Sequence, residues 1–463
     1  GGATQNVLIG ALAGDAQTQC SSNVGIGVHA LGLTITGADN VAVGTNASAA
    51  GTTAHSNVAV GMNALTTNGA GRYNVAVGFD ALKDQNQDSD NYNTAVGFNS
   101  GGNITTGTLN TIVGASAGAA NTFVASAVTL LGYNAGNAVT SAGADGLTAI
   151  GKDACELVTS VAATAVGANA LAALVSGAGN TAVGNNALAI ATGINNTAVG
   201  GGCLDGTDDG GNNTAMGYLS LSANCQNQNV AMGSSSLLAS TAYRNVAIGC
   251  NAADSNIAGG GNVFIGYDCA AYENNNTSGE DNVFIGSHCR PSAPGVSSEI
   301  VIGRYGLGQG TLTASLSVNG QGAAISLDGS DTSWAAHSDE RLKENITTST
   351  AGLSFINDLR PVTYTWKAKN AISDSFVNYY DADSTDPING VAGKTYHGFV
   401  AQEMKTTIDA HSEVANGNNL WAERVDDIQQ LAPGNLVPML TKAVQELSTA
   451  LDAALARIAT LEG

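Results

Sequence analysis

Asn40-Val41-Ala42-Val43-Gly44 is the stretch whose reading decides the fold. Its two valines share one side of an extended chain and its alanine takes the other, the period of two that marks a β-strand. The same pattern, Asn-[Val/Thr]-Ala-[Val/Ile]-Gly, returns at Asn57 to Gly61, Asn74 to Gly78, Asn180 to Gly184, Asn213 to Gly217, Asn229 to Gly233 and Asn245 to Gly249. Its closing glycines fall at 10, 27, 44, 61, 78, 97, 114, 132, 151, 167, 184, 200, 217, 233, 249, 266, 286 and 303. That makes 18 units spaced 16 to 20 residues apart, most often 17, which is the signature of an array rather than of a globular domain.

No unit has room for a long helix. Turn-forming runs such as Thr66-Thr67-Asn68-Gly69-Ala70-Gly71 and Gly210-Gly211-Asn212 separate the strands, with glycine and asparagine accepting positive φ at low cost. Each unit is therefore expected to form one coil of two short strands and two turns. Stacking at about 4.8 Å per coil gives a rod of roughly 85 Å. The predicted class is mainly β, a parallel β-roll or β-solenoid over residues 1–305, with linker strands over 306–337.

Such a rod is thin. Aromatic residues are only 5% of the chain, so one coil buries little by itself, and association of several chains would supply the missing burial and cover lateral edges. The pattern resembles the head repeats of trimeric bacterial adhesins and the Asn-Thr-Ala-Val-Gly arrays of phage tail fibres. That resemblance implies a left-handed roll and a homotrimer.

Composition changes abruptly near residue 338. All three tryptophans, Trp334, Trp366 and Trp421, lie at or beyond this junction, as do 10 of the 16 lysines and arginines. Residues 338–435 read as a small α+β domain. A short helix around Phe355, Ile356 and Leu359 should stop at Pro361, Val362 to Trp366 alternates as a strand, and His397 to Glu403 reads as a strand entering a helix. From Leu436 the spacing of Leu440, Val444, Leu447, Leu451, Leu455, Ile458 and Leu461 predicts a coiled-coil helix to the chain end, about three heptads long and too short to be secure alone.

At the junction stands His337-Ser338-Asp339-Glu340-Arg341-Leu342-Lys343-Glu344-Asn345-Ile346. Taken alone, Ser338 suits an N-cap, with Asp339 and Glu340 in a first helical turn. A serine with a lysine five residues on can equally be a self-cleaving dyad, because a lysine neutralised by burial can take the hydroxyl proton. The order of motifs favours the dyad: Leu359-Arg360-Pro361-Val362, then Gly398-Phe399-Val400-Ala401-Gln402-Glu403, then Leu436-Val437-Pro438 before the terminal helix. Residues 338–463 thereby resemble the C-terminal intramolecular chaperone domain of phage tailspikes and tail fibres, of the endosialidase type.

That resemblance implies a domain that trimerises, assists folding of the β-structured fibre ahead of it, and then cuts itself off. Carried onto this chain, Ser338 is the nucleophile, Lys343 the general base and His337-Ser338 the scissile bond. Asp339, Glu340 and Arg341 match the motif and would steady the loop through ion pairs. Positions five apart on a helix differ by about 140°, so the dyad requires a turn or a second subunit to bring it together. The implied enzyme is a single-turnover autoproteolytic serine peptidase with no external substrate.

Other chemistry is sparse. Cys20, Cys155, Cys203, Cys225, Cys250, Cys269 and Cys289 all precede the junction without metal-ligand spacing and read as small, reduced core residues, consistent with assembly in a host cytoplasm. His397 reads as a strand residue rather than an aid to the dyad. Asp84, Asn86, Asp88 and Asp90, and separately Asp205, Asp208 and Asp209, read as solvated turns because neither group has the spacing of a calcium loop. No cofactor and no metal is expected. Insertions at 83–93, 204–212 and 271–281 are the natural places for host contacts.

A net charge of −21 argues against nucleic acid or an anionic membrane as partner, and the absence of an 18-residue apolar run argues against membrane insertion. The expected partners are two further copies of the chain, a host cell-surface receptor of glycan or outer-surface protein type, and other virion tail proteins. Localisation to the virion follows. Because the chain opens at Gly1 without a secretory signal, an upstream virion-attachment segment is expected to be missing. The alternative, a trimeric bacterial surface adhesin, would call for a C-terminal anchor of amphipathic strands, whereas the chain ends in a predicted coiled coil. A polysaccharide depolymerase would need paired carboxylates in a cleft, and a narrow roll of glycine and alanine suggests none.

Overall fold

The computed structural model describes residues 4–174, 176–190, 192–206, 209–271, 278–328, 335–336, 338–373, 380–389, 391–415, 420–423 and 427–462. The chain divides into two compact units, Gly1–His337 and Ser338–Gly463.

The first unit is a parallel β-solenoid. Among the described residues it holds eighteen three-residue strands, from Val7–Ile9 to Ile300–Ile302, each paired in parallel with the strand one coil away. Register is strict: Val41, Ala42 and Val43 lie beside Val58, Ala59 and Val60. The central strand residue points inward, as Ala42 and Ala59 do at 0% exposure, while its two neighbours form the outer face. Each coil has one strand rather than the expected two. Among the described residues the opposite side is built from turns, joined by coil-to-coil backbone hydrogen bonds such as Leu31 N–H to the Ala47 carbonyl at 3.1 Å and by isolated bridges such as His55 to Arg72 and Ile104 to Phe123.

These turns also differ from expectation in their residues. Left-handed backbone falls not only on glycine and asparagine but on leucines, including Leu31, Leu65 and Leu82 at φ 55°, 55° and 49°. A left-handed non-glycine residue costs about 1–2 kcal/mol. Full burial of a leucine contributes about 1.5–3 kcal/mol, and these three are completely buried, so packing offsets the strain.

Two features dictate the repeat. The closing glycine stands at φ near 134° at Gly44, and a Cβ there would lie 2.6 Å from the Gly61 carbonyl oxygen of the adjoining coil. No other residue fits that stack. Before most strands stands a buried asparagine, and these asparagines form a ladder. Asn40 donates its backbone N–H to Asn23 Oδ1 at 3.0 Å and its side-chain amide to the Ala54 carbonyl at 2.8 Å, while its own Oδ1 accepts the Asn57 N–H. The ladder satisfies polar groups that a coil could not otherwise pair inside. It is interrupted by Val128, Leu147 and Ala163, resumes at Asn180, and ends at Glu299, whose buried carboxylate accepts the N–H groups of Ser292 and Gly310. Beyond it, Thr313–Val318 and Gln321–Ser326 form an antiparallel hairpin that closes the parallel sheet.

In the second unit, α1 (Leu353–Asp358), α2 (Ala401–Ala410), α3 (Ser412–Ala415) and α4 (Val437–Glu462) accompany two small antiparallel ladders, Val362–Tyr364 with Tyr396–Gly398 and Trp421–Glu423 with Gln429–Leu431. Phe355, Met404, Ile408, Val414, Leu420 and Leu436 make its core. The backbone N–H of Leu353, at the start of α1, donates at 2.8 Å to Glu446 on α4, so the terminal helix caps the first one. Leu440, Val444, Leu447, Leu451, Leu455, Ile458 and Leu461 lie exposed along α4.

Candidate functional site

The second unit begins with a tight turn at Ser338. Glu340–Leu342 is a single 3-10 turn, capped by Asp339, whose carboxylate accepts the Arg341 backbone N–H at 2.9 Å. The cap is thus one residue later than the capping alternative placed it. Ser338 remains outside the turn, and Lys343 Nζ donates to its Oγ at 2.7 Å. A short turn achieves what a continuous helix could not, and it does so within one chain.

Arg341 completes the loop by gripping Asp339, with Nε at 3.0 and 3.1 Å from the two carboxylate oxygens. That guanidinium, followed by the Asp339 contact to the Arg341 N–H, holds the Asp339 carboxyl below its usual range. Glu340 supplies a backbone carbonyl that accepts the Lys343 N–H at 3.0 Å. Ser338 and Lys343 are both exposed in the single chain. His337, which precedes this turn, lies outside the described residues.

The remaining sequence candidates disperse. His397 is exposed in the middle of its strand, opposite Thr363. Six of the seven cysteines are buried, Cys250 is exposed, and none forms a disulfide. In the 83–93 insertion, Gln85 is buried and accepts from Asn93 at 2.7 Å, and Asp90 lies 3.6 Å from Arg72, so this loop is tied to the roll. Asp208 and residues 272–277 of the other insertions lie outside the described residues. Among the described residues no group of three or more His, Cys, Asp or Glu is placed to hold a metal ion, and no helix is long and apolar enough to cross a membrane.

Two networks escaped the sequence reading. His411 is nearly buried, edge-on to Phe355, with Nδ1 at 2.9 Å from Glu413 and Nε2 at 2.9 Å from Asp358. Glu413 first and Asp358 second raise its pKa above the ordinary histidine value. Arg360 pairs in a two-pronged contact with Glu403, linking the end of α1 to α2, and depresses the Glu403 pKa. Glu413 sits two residues from His411 and was a weak sequence signal. Asp358 and Glu403 come from 53 and 43 residues away, with no local pattern to announce them.

Residues 338–412 match the family model described as the chaperone of endosialidase. The match begins at Ser338 and spans the Ser338–Lys343 turn, the Arg360–Glu403 pair and His411. No curated protein matches the chain. A chaperone-of-endosialidase segment following a solenoid of about eighteen coils fits a phage tail fibre or tailspike of the endosialidase type, with a C-terminal chaperone.

Proposed function

We propose that this chain forms a homotrimeric virion fibre that attaches to a host surface, and that its C-terminal unit aligns three chains, assists their folding and then severs itself at His337-Ser338. The observation that carries the cut is the 2.7 Å contact between Lys343 Nζ and Ser338 Oγ, at the first residue of the family match.

In the proposed step, the Lys343 amine takes the Ser338 hydroxyl proton as Oγ bonds to the His337 carbonyl carbon. The C–N bond then breaks and the Ser338 nitrogen leaves as an amine after gaining a proton. Water hydrolyses the resulting ester, leaving a carboxylate at His337 and the restored Ser338 hydroxyl on the released unit. A lysine acts as base when it is desolvated, yet both partners are exposed in one chain, so association of copies is the natural source of that burial. The cut would then follow assembly.

Trimerisation is supported by two unpartnered apolar surfaces. One is the α4 seam. The other is the outer strand face of the roll, where Ile26, Val96, Leu131, Val183, Met216, Met232, Ile248, Ile285 and Ile302 recur at the third strand position and are 36–45% exposed. Register explains the need for a chaperone. A slip of one coil preserves most contacts between near-identical repeats, so chains joined at one end lose the competing alignments. Removing the template afterwards leaves a kinetically trapped fibre.

The direct test is mass spectrometry of freshly expressed protein, which should find products 1–337 and 338–463. Persistently intact, correctly assembled trimer would refute self-cleavage. Removal of 338–463 from the gene should leave the repeats insoluble, and soluble native trimer from that truncation would refute the chaperone role.

A further inference from the structure

The last coils of the roll carry a column of rings flanked by charged side chains. Tyr267 and His288 meet edge-on at 5.2 Å between centroids, and His288 and Tyr305 stack at 4.5 Å with planes 20° apart. The Arg304 guanidinium lies 4.8 Å from the Tyr305 centroid. On the other flank, Asp268 Oδ2 lies 3.5 Å from His288 Nε2, while Asp268 Oδ1 accepts the Asn251 amide at 2.8 Å. Ser287 Oγ lies 2.7 Å from His288 Nδ1. The imidazole is therefore held on both sides.

The tyrosines of this column nonetheless stay open. Tyr267 is 51% exposed and Tyr305 39%, so both forgo much of the burial that an aromatic side chain ordinarily supplies. The column is also built from residues one or two positions past the closing glycines, not from the third strand position of the outer face. Each chain segment leaves the outer strand face at Gly266, Gly286 or Gly303, where positive φ turns it before these side chains are reached.

We infer that Tyr267, His288 and Tyr305, with Asp268 and Arg304, form an oligosaccharide-binding strip. Sugar rings present an apolar C–H face and a rim of hydroxyls. Stacked aromatic rings complement the first, and a carboxylate on one flank with a guanidinium on the other complements the second, accepting and donating hydrogen bonds respectively. Rungs about one sugar ring apart suit consecutive pyranoses. A nucleic acid strand would also stack, but it would have to approach a chain of net charge −21. An acyl chain would gain little from so charged a border.

The inference rests on the reading of the roll as a host-attachment fibre, and the test separates the two. Cleaved trimer is applied to a printed array of bacterial O-antigen and capsular oligosaccharides and, in parallel, to a panel of bacterial strains. Wild type should retain at least one glycan. Tyr267→Ala and Tyr305→Ala should each lower that retention at least tenfold, Tyr305→Phe should stay within about threefold, and Tyr133→Ala, a 53% exposed control elsewhere on the roll, should match wild type.

Equal retention by the two alanine variants would overturn the strip while leaving attachment intact. Binding to cells without binding to any glycan would overturn the saccharide class and spare the attachment reading. Failure to bind any strain would remove both. Light scattering completes the test: alanine variants that fall to monomers would mark the column as a subunit contact, which overturns the inference.

Discussion

Lys343 Nζ and Ser338 Oγ stand 2.7 Å apart because a single 3-10 turn, capped by Asp339 and clasped by Arg341, folds five residues back on themselves. That contact joins the amine and hydroxyl that the proposed cut requires, within one chain.

Ser338→Ala and Lys343→Ala should each leave a single full-length band on a denaturing gel where wild type shows two. Arg341→Ala should slow the cut without abolishing it, since the guanidinium holds Asp339 and Lys343 Nζ bonds Ser338 Oγ without it. An Arg341→Ala rate equal to wild type would remove it from the positioning of the turn.

The bonded pair around His411 makes the C-terminal unit sensitive to pH. Its pKa is raised in the folded state by Glu413 and Asp358. The stabilisation is fully present below the unfolded histidine pKa of about 6.5 and is lost as pH rises through the higher folded value. Urea unfolding of the Ser338→Ala chain, followed by tryptophan fluorescence, should show this loss with rising pH, and His411→Gln should flatten it. An unchanged profile in His411→Gln would exclude His411 as the source.

Alignment of the chains should depend on α4. Leu447 and Leu451 are 57% and 58% exposed in the single chain. Leu447→Asp combined with Leu451→Asp should yield monomers by light scattering, and an uncut chain by gel if assembly completes the dyad. Monomers that still cut would show that one chain suffices.

In the roll, Asn213 accepts both the backbone N–H and the side-chain amide of Asn229, at 2.8 and 3.2 Å. Asn213→Ala orphans the buried N–H and should cost about 1–3 kcal/mol. Gly184→Ala should cost at least as much, because φ is 142° and a Cβ would lie 2.4 Å from the Gly200 carbonyl oxygen. Both should lower the thermal midpoint or speed unfolding of the cleaved trimer, whereas a midpoint within a degree of wild type would show that the ladder or the glycine stack is dispensable.

The roll was largely legible because each of its causes is local and repeated. Period-two alternation exposed the strand, and the recurring glycine marked the coil length. The second strand was over-read because turns held by buried left-handed leucines violate the usual preference for glycine and asparagine. Leu353 to Asp358 and Val437 to Glu462 were legible as helices from apolar spacing, whereas the hairpin of Trp421–Glu423 and Gln429–Leu431 carries too little alternation to announce itself.

The sequence by itself determined the number of coils, the alternation of valine and alanine within each strand and the place of the Ser338-to-Lys343 motif, since these follow from residue order at spacings of two, five and seventeen. Only the tertiary structure decided that Asp339 rather than Ser338 caps the turn, that Glu446 caps α1, and that His411 gathers Asp358 and Glu413. Those choices depend on which distant backbone and charged groups arrive within hydrogen-bonding distance, and folding sets that proximity without leaving a periodic mark in the chain.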